Sequence, residues 1–394
     1  MIPEKTRWPL VMIVAVAGFA AASNIGKVAP VLPLIQEEMG LQLSDMGLVV
    51  SVYSLLAMML CVPVAILGAR LGNDRTALLA LGLMGVGGLI SANAGNLTYL
   101  LLGRITEGFG FVMIAVSGPA LIARAVLPQD RTIGMTIWSF WLPAGVSLML
   151  LSSPALTAID GWRLPWSFTG GFALLWMGVL GFAFRDIGRS GDRQRGISNQ
   201  QIKGIFQPGT LMMALALGCF SSLYTVGLAF SPTVWFETKG ISLQTGSYLL
   251  AFAITGTIAG NIAGGVLVKR GSNINKLLAG SFILPSFIAA LMFVEALPFW
   301  LQYTCYFSFA TISGAVPSAI FARAPAYTTE PVQISLVIAL VFQGTSAGQV
   351  FGPVLFSNLI EWQHHNWAWG SLFFAGMAII GGLVIWQIKP PAQQ

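Results

Sequence analysis

Long apolar blocks alternate with short polar clusters along the whole chain. Each block is long enough to cross a bilayer, because a membrane-crossing helix needs about 20 mostly apolar residues. The pattern predicts twelve such helices, over residues 8–35, 45–68, 76–95, 97–123, 132–156, 164–185, 209–235, 242–268, 276–296, 298–323, 331–359 and 366–388. The longer ones indicate tilt, or ends that project past the hydrocarbon.

Composition points to the same class of protein. The 394 residues are 56% hydrophobic and 9% charged, and a soluble domain could not bury so much apolar surface. Cys61, Cys219 and Cys305 lie inside apolar blocks without metal or disulfide spacing, so they are interpreted as packing residues. The net charge of +6 comes from loop residues and does not indicate a nucleic-acid partner. We expect an all-α integral membrane protein with membrane lipids around it, and no catalytic residue, metal or cofactor.

Lys and Arg fall at every second gap between the predicted helices. One side, which includes both termini, carries 16 of the 20 basic residues, and the other side carries only Arg163 and Lys239. The opposite loops carry acids, among them Glu38, Glu237 and Glu361. Since cytoplasmic loops are enriched in basic residues, both termini are predicted to be cytoplasmic, in an inner (plasma) membrane.

A long polar stretch near the middle predicts two halves. The domains are expected at 1–186 and 209–394, joined by a cytoplasmic linker over 187–208. A solvated basic linker is the favoured interpretation. A partner-binding site or an amphipathic helix on the membrane surface are the alternatives.

The two halves echo each other. Residues 69–72 (ARLG) and 268–271 (VKRG) both follow a predicted helix, and their glycines are 199 residues apart. Two helices carry glycines at four-residue spacing, which places them on one face: Gly256, Gly260 and Gly264, and Gly344, Gly348 and Gly352. Such faces allow close helix packing. They could also slide during a conformational cycle.

Together, these features resemble the major facilitator superfamily of secondary transporters, over essentially the whole chain. Arg70, Gly72 and Arg75 match its loop signature between helices 2 and 3, but Ala69 replaces the usual Asp. A cytoplasmic latch through that position is therefore in doubt, and Asp74 is the candidate substitute. In helix 4, "GRITEGFG" is similar to a second signature, with Glu107 where Gln or an apolar residue is frequent.

The resemblance implies two six-helix bundles that expose a midplane site alternately to each side of the membrane. Helix 5 offers only Pro143 and Gly145, and so lacks the Gly-Pro-Gly-rich pattern of antiporter-type drug exporters. This difference favours uptake. A basic residue just before the proline-rich end of helix 1 also resembles the cyanate-transporter-like branch.

Three charges lie inside predicted helices: Lys27, Arg104 and Glu107. Ionisable groups in hydrocarbon normally face the bundle interior or a watery cavity, so these are candidate functional residues. The three-residue spacing of Arg104 and Glu107 allows them to pair on one helix face. This pair is either a proton-linked switch or a structural ion pair. As the single acid well inside a predicted helix, Glu107 is the candidate for proton coupling.

Lys27 is the candidate for binding an anionic substrate. Asn24 lies one turn before it on the same face. A lone ammonium in a central cavity can hold a carboxylate or a similar group. Two alternatives remain open for Lys27: it pairs with Glu107, or it extends to the outer surface.

Further aromatic and amide residues within helices complete the predicted substrate site, although packing is the alternative role of each. They are Tyr53, Trp138, Trp141, Tyr224, Asn261, Tyr306 and Gln343. We therefore predict a monomeric secondary transporter that takes up a small anion with protons. A proton-driven drug or metabolite exporter is the first alternative, and a membrane sensor or scaffold without transport is the second.

Overall fold

The computed structural model describes residues 5–41, 43–186, 199–328, 331–364 and 366–388, and within them it forms helices and no strands. The helices are α1 Trp8–Gly26, α2 Val28–Met39, α3 Leu43–Leu71, α4 Asn73–Ala92, α5 Leu97–Ala125, α6 Arg131–Ser139, α7 Trp141–Asp160, α8 Arg163–Asp186, α9 Asn199–Lys203, α10 Pro208–Lys239, α11 Leu243–Lys269, α12 Ile274–Ala290, α13 Phe299–Ser313, α14 Ala315–Arg323, α15 Pro331–Trp362 and α16 Trp369–Trp386. Short 3-10 turns cover Pro128–Asp130, Leu291–Phe293 and Ala324–Tyr327.

Twelve helical spans in these described ranges are long and apolar enough to cross a membrane. Most begin or end within a few residues of the predicted limits. The fourth span, for example, runs over Leu97–Ala125 where 97–123 was expected. The predicted all-α membrane fold and the helix number are confirmed.

Three helices predicted as continuous are broken, and each break has the same cause. Proline lacks an N–H, so the carbonyl four residues earlier loses its helical partner. In all three cases the first segment ends at the residue that carries that carbonyl. The pairs of proline and segment end are Pro30 and Gly26, Pro143 and Ser139, and Pro317 and Ser313. The prediction of one continuous helix over 8–35 is therefore wrong at Lys27, and the helical path continues as α2 to Met39.

The chain divides into two compact units, one of residues 1–204 with 330–339 and the other of 205–329 with 340–394. In the first unit α4 packs on α5 and α8, α3 on α5, and α1 on α8. In the second unit α12 packs on α13 and α16, α11 on α13, and α10 on α16. The same helix pairing occurs in both, as an internal repeat requires. Most of the predicted linker, 187–198, lies outside the described residues, and its boundaries stay a prediction.

Backbone conformation repeats at the positions that suggested the duplication. Gly72 and Gly271 have φ of 89° and 81°, values that residues with a Cβ adopt at a cost. Gly40 follows α2 and Gly240 follows α10, with φ of 62° and 67°. Both pairs are therefore turn glycines that a side chain would strain.

In each unit a Trp–Glu hydrogen bond joins a helix near the start of the unit to the residues just before its last helix. Trp162 Nε1 donates to Glu38 Oε2 at 2.6 Å, and Trp367 Nε1 donates to Glu237 Oε2 at 2.8 Å. The two glutamates are 199 residues apart.

Glu38 lies beyond the apolar span, and hydrogen bonds from Trp162 and then Arg163 hold the pKa of its carboxyl below the usual 4.5.

The two glycine faces predicted from spacing both lie in close helix contacts. A Cβ on Gly260 would collide with the carbonyl of Thr311 in α13, and one on Gly348 would collide with the carbonyl of Gly218 in α10. These faces let backbones approach to a distance that any side chain would prevent.

Candidate functional site

The three candidate charges Lys27, Arg104 and Glu107 meet inside the first unit. Lys27 Nζ lies 2.5 Å from Glu107 Oε1, and Arg104 Nη1 lies 2.8 Å from Glu107 Oε2. The side chains of Lys27 and Glu107 are 0% exposed and that of Arg104 is 2% exposed. One carboxylate thus bridges two cations, and with all three groups ionised the cluster carries one net positive charge.

Glycines in α4 create the space for the Glu107 side chain. A Cβ on Gly87 would lie 2.7 Å from the Glu107 nitrogen, and one on Gly88 would lie 3.3 Å from Glu107 Oε1. The same Gly88 Cβ would lie 2.9 Å from the Cα of Gly170 in α8. Because these positions lack side chains, α4, α5 and α8 approach closely enough for the carboxylate to lie among them.

Lys27 uses all three of its ammonium protons. Besides Glu107, Nζ donates to Asn24 Oδ1 at 2.7 Å and to Thr169 Oγ1 at 3.0 Å. The face of the Trp166 ring lies against it, with Nζ 4.9 Å from the ring centroid. Lys27 is therefore a partner of Glu107, which was one of the open alternatives, and does not extend to the outer surface.

Arg104 joins α5 to α1 and α3. Its Nε donates to the Val49 carbonyl at 3.1 Å, and its Nη1 donates to the Asn24 carbonyl at 3.3 Å. Its guanidinium lies 4.0 Å from the centroid of the Tyr53 ring, and Tyr53 Oη donates to Glu107 Oε2 at 3.3 Å. The carboxylate therefore has partners at the α1–α2 junction, on α3 and on its own helix α5, and loss of its charge would affect all three.

An aromatic row connects the ion cluster to the helix break at Phe140. Ring centroids are 5.3 Å apart for Tyr53 and Phe111, 5.4 Å for Phe111 and Trp141, and 4.8 Å for Trp141 and Trp138. Phe111 was not among the predicted residues. It lies one turn after Glu107, and that spacing on the same helix face was the available signal.

Trp138 is held by packing. Its ring lies between α1 and α5, where a Cβ on Gly18 or on Gly118 would collide with it. It is fully buried. Packing of the ring against Gly18 and Gly118 is enough to explain its position. Its contact with substrate stays a prediction.

The other predicted residues lie in the second unit. Tyr306 and Asn261 are buried, whereas Tyr224 and Gln343 are partly buried. Asn261 is in α11 beside the break between α13 and α14, where its backbone nitrogen would lie 3.1 Å from a Cβ on Gly314. Tyr306 packs against Gly227 of α10 and has an edge contact with Trp235 at 5.9 Å.

The internal repeat shows that the ion cluster belongs to one unit. The 199-residue offset carries Arg104 to Tyr303, Glu107 to Tyr306 and Lys27 to Val226. Tyr306 packs on α10 as Glu107 packs on α1, but through an aromatic ring. At this helix contact, the first unit thus has Arg104 and Glu107, and the second has Tyr303 and Tyr306 at the corresponding positions.

Two residues of α8 in the cluster, Trp166 and Thr169, were missed. Thr169 also donates back to its own helix, at 3.0 Å to the Pro165 carbonyl. Sequence alone does not separate such a threonine from one that only bonds its own backbone. Trp166 has the spacing of a packing residue and was not distinguishable from other membrane tryptophans.

The loop between the second and third predicted helices has Ala69 where the signature has Asp, and a nearby acid, Asp74, forms an ion pair. Gly72 makes the turn, and Arg70 and Arg75 are exposed. Asp74 lies 3.7 Å from Arg124, which links the start of α4 to the end of α5. Its role as the substitute for the missing Asp stays a prediction.

In the part of the chain that the structure describes, no three His, Cys, Asp or Glu side chains are grouped as metal ligands would be. His365 of the adjacent His364–His365 pair lies outside that part.

Comparisons with known proteins agree with this architecture. The family model of the Major Facilitator Superfamily matches residues 14–333. The "Probable sulfoacetate transporter SauU" of Cupriavidus necator is 22% identical, over 91% of this chain and 88% of that protein. The "Putative multidrug resistance protein MdtD" of Salmonella paratyphi A is 24% identical, over 74% of this chain and 66% of that protein.

A solved structure has the same fold. The proton:xylose symporter XylE, bound to 6-bromo-6-deoxy-D-glucose, superposes with a TM-score of 0.74 at 14% identity, over 97% of this chain and 96% of that one. The family match covers well over half of the chain. The chain therefore belongs to the Major Facilitator Superfamily of secondary transporters.

Proposed function

We propose that this transporter takes up a small organic anion together with a proton, by alternating access. The buried cluster of two cations and one carboxylate is the observation that carries the proposal. Protonation of Glu107 alone would leave two buried cations without a counter-charge, which is costly. If one singly charged head group of an anion binds in the cluster as Glu107 is protonated, the net charge of the cluster is unchanged. Each event therefore favours the other, which is the coupling that symport requires.

The incoming anion takes over the partners of Glu107. These are one Lys27 proton, Arg104 Nη1 and the Tyr53 hydroxyl, which now donate to Glu107 within 2.5–3.3 Å. Asn24 and Thr169 continue to hold Lys27 in place. Trp138, Trp141, Tyr224, Asn261, Tyr306 and Gln343 are proposed to contact the remainder of the substrate.

One of the relatives supports an anion as cargo. SauU is named for sulfoacetate, which carries a carboxylate and a sulfonate. The likeness to the cyanate-transporter-like branch stays a prediction, and cyanate is itself a small anion. The proposed setting is the inner membrane, with a monomeric chain and both termini in the cytoplasm, because the basic loops fall on one side.

The test uses purified protein in liposomes with an imposed proton gradient, and sulfoacetate as the probe. Wild type should accumulate it, and Lys27→Ala should not. Glu107→Gln, purified with the anion present, should exchange external for internal sulfoacetate but no longer respond to the proton gradient. Lys276→Ala, on an exposed lysine, is the matched control and should behave as wild type. Gradient-driven uptake by Lys27→Ala at the wild-type rate would contradict the proposal.

Export of drugs or metabolites is the second candidate, favoured by the relative named as a multidrug resistance protein. It predicts that cells lacking the transporter become sensitive to lipophilic cations. The net positive charge of the buried cluster opposes cationic cargo, because an unpaired like charge rejects it. Unchanged sensitivity in the deletion strain would remove this candidate.

A further inference from the structure

An apolar groove runs along the surface of the first unit, between the start of α1 and the end of α8. Its volume is about 710 Å³, and none of the side chains that line it is polar. The lining residues include Pro9, Leu10 and Ile13 of α1 and Leu175, Val179 and Phe182 of α8. Such a lining offers no partner to a polar solute, whereas a hydrocarbon chain can fill it.

Gly178 of α8 forms part of the wall of this groove and keeps it open. A Cβ built at this glycine has nothing within 4 Å. The side of α8 from Leu175 to Ala183 is about 12 Å long, at 1.5 Å per residue. The groove therefore has room along the helix axis for part of an acyl chain, and a larger residue at position 178 would occupy that room without touching the rest of the fold.

Basic residues lie at one end of the groove. Arg185 follows Gly178 by seven residues and Phe182 by three, so it continues the groove face of α8 by one turn. Lys5 and Arg7 come just before the α1 residues that line the groove. Because α1 is in the first span and α8 in the sixth, the two helices run in opposite directions and place these cations at the same end. All three side chains are exposed.

Hydrogen bonds hold the residues before α1 in place. The Arg7 N–H donates to the Ala125 carbonyl at 2.9 Å, and Thr6 Oγ1 donates to Asp130 Oδ2 at 2.5 Å. The Leu127 N–H donates to Thr6 Oγ1 at 3.0 Å. The backbone of Arg7 is thus fixed beside the groove, and Asp130 is occupied by Thr6.

Within the described residues, neither Arg7 nor Arg185 is in an ion pair. Asp186 follows Arg185 in the sequence, and its side chain lies outside the described part. Trp8 is exposed at the same end, as is common for tryptophan at a membrane surface. Basic sites between membrane helices on the cytoplasmic side bind the head groups of anionic lipids.

We propose that the groove between α1 and α8 binds an acyl chain of an anionic phospholipid, whose phosphate lies against Arg7 and Arg185. The lipid then contacts the two helices that carry Asn24 and Thr169, the further partners of Lys27. This inference does not depend on what the transporter carries.

The experiment uses phosphatidylglycerol with a photoreactive diazirine in its acyl chain, added to the purified full chain in detergent. After illumination, peptide mapping should find the label on residues 9–13 and 175–183. Unlabelled phosphatidylglycerol should compete better than phosphatidylcholine, by about fivefold for each arginine that meets the phosphate. Glycerol 3-phosphate, which has the phosphate and no acyl chain, should not compete.

Two leucine variants on one helix face test the groove. Gly178→Leu should reduce the labelling at least tenfold and melt no lower than wild type, because its side chain enters open space. Gly171→Leu is the matched control and should be labelled as wild type is. It lies seven residues earlier on the same face, its Cβ also has nothing within 4 Å, and it is not in the groove.

A charge variant tests the head-group contact. Arg7→Gln combined with Arg185→Gln should remove the preference for phosphatidylglycerol and leave labelling by a phosphatidylcholine probe unchanged. Lys276→Gln, on an exposed lysine of the second unit, should keep the preference.

Equal labelling of Gly178→Leu and Gly171→Leu would overturn the proposal, as would a label that maps elsewhere. Equal competition by the two lipids in wild type would also overturn it, since the groove would then hold any lipid of the bilayer. Should Gly178→Leu not fold, Ala183→Leu fills the same groove from the next turn of α8 and gives the same test.

Discussion

Glu107 and Lys27 differ in how much the folded state depends on them, although they are paired with each other. Removal of Lys27 leaves the Arg104–Glu107 pair, which is neutral overall. Removal of the Glu107 charge leaves two buried cations that face the same space. Breaking a buried ion pair is most costly when it leaves a charge uncompensated. The carboxylate is therefore the residue on which the stability of the cluster depends.

This asymmetry is measurable. Glu107→Gln should lose about 3–5 kcal/mol of stability, the cost of uncompensated buried charge, whereas Lys27→Met should lose about 1–2 kcal/mol for its unpaired acceptors. Thermal or denaturant unfolding in detergent would measure the difference. Acetate should raise the melting temperature of Glu107→Gln more than that of wild type, because it replaces the missing carboxylate. Equal losses for the two variants, or no acetate effect, would contradict the electrostatic account.

At the scale of elements, glycines and prolines decide the shape of the helices around the site. Pro30 interrupts the first span at Lys27, yet Pro119 lies inside the continuous helix α5. Membrane helices tolerate proline where neighbouring groups satisfy the freed carbonyl, so the sequence shows where a break is possible and not whether it occurs. The same holds for Gly87 and Gly88. The sequence shows two glycines, and only the packing of α5 and α8 against them shows that a side chain is excluded.

Gly87→Ala tests this close approach. Its Cβ would lie 2.7 Å from backbone atoms of Glu107 and Gly103, which cannot yield as a side chain would. We expect a loss of about 1–3 kcal/mol from overpacking and weaker anion binding, as α4 and α5 separate. Gly171→Ala is the control, since nothing lies within 4 Å of its Cβ. It should be neutral or gain about 0.5–1 kcal/mol from the better helix former. Equal stability of the two variants would show that the glycine contact is dispensable.

At the scale of the whole molecule, the two units share one arrangement of helices but differ in the buried side chains at corresponding positions. Each unit has the same helix pairing and a Trp–Glu hydrogen bond at corresponding ends. The ion cluster lies in the first unit, and Tyr303, Tyr306 and Val226 stand at the positions of Arg104, Glu107 and Lys27 in the second. Duplication thus accounts for the scaffold, whereas divergence placed the charge that we propose binds the anion.

The proposed topology can be checked with two exposed positions, Lys203 and Glu361. A cysteine at Glu361 should react with a membrane-impermeant maleimide in intact cells, and a cysteine at Lys203 only after the membrane is permeabilised. The native Cys61 and Cys305 are buried, and Cys219 lies within a span, so the unmodified chain is the background control. The reverse labelling pattern would invert the predicted orientation.

The sequence by itself determined the number of membrane spans, their approximate positions and the family. A membrane span is a local property, set by the length of an apolar run, and the alternation of charge needs no knowledge of contacts. The pairing of Arg104 with Glu107 was also within reach, because three residues on one helix fix their own geometry.

Only the tertiary structure decided that Lys27 meets Glu107, 80 residues away, and that Thr169 and Trp166 complete the cluster. The glycines of α4 that let α5 and α8 approach act through neighbours distant in the chain, and such neighbours also decide whether a proline breaks its helix. Contacts of that kind depend on how helices pack, and a helix pattern carries no information about its partner. For the same reason, the groove between α1 and α8 shows only once the fold is assembled.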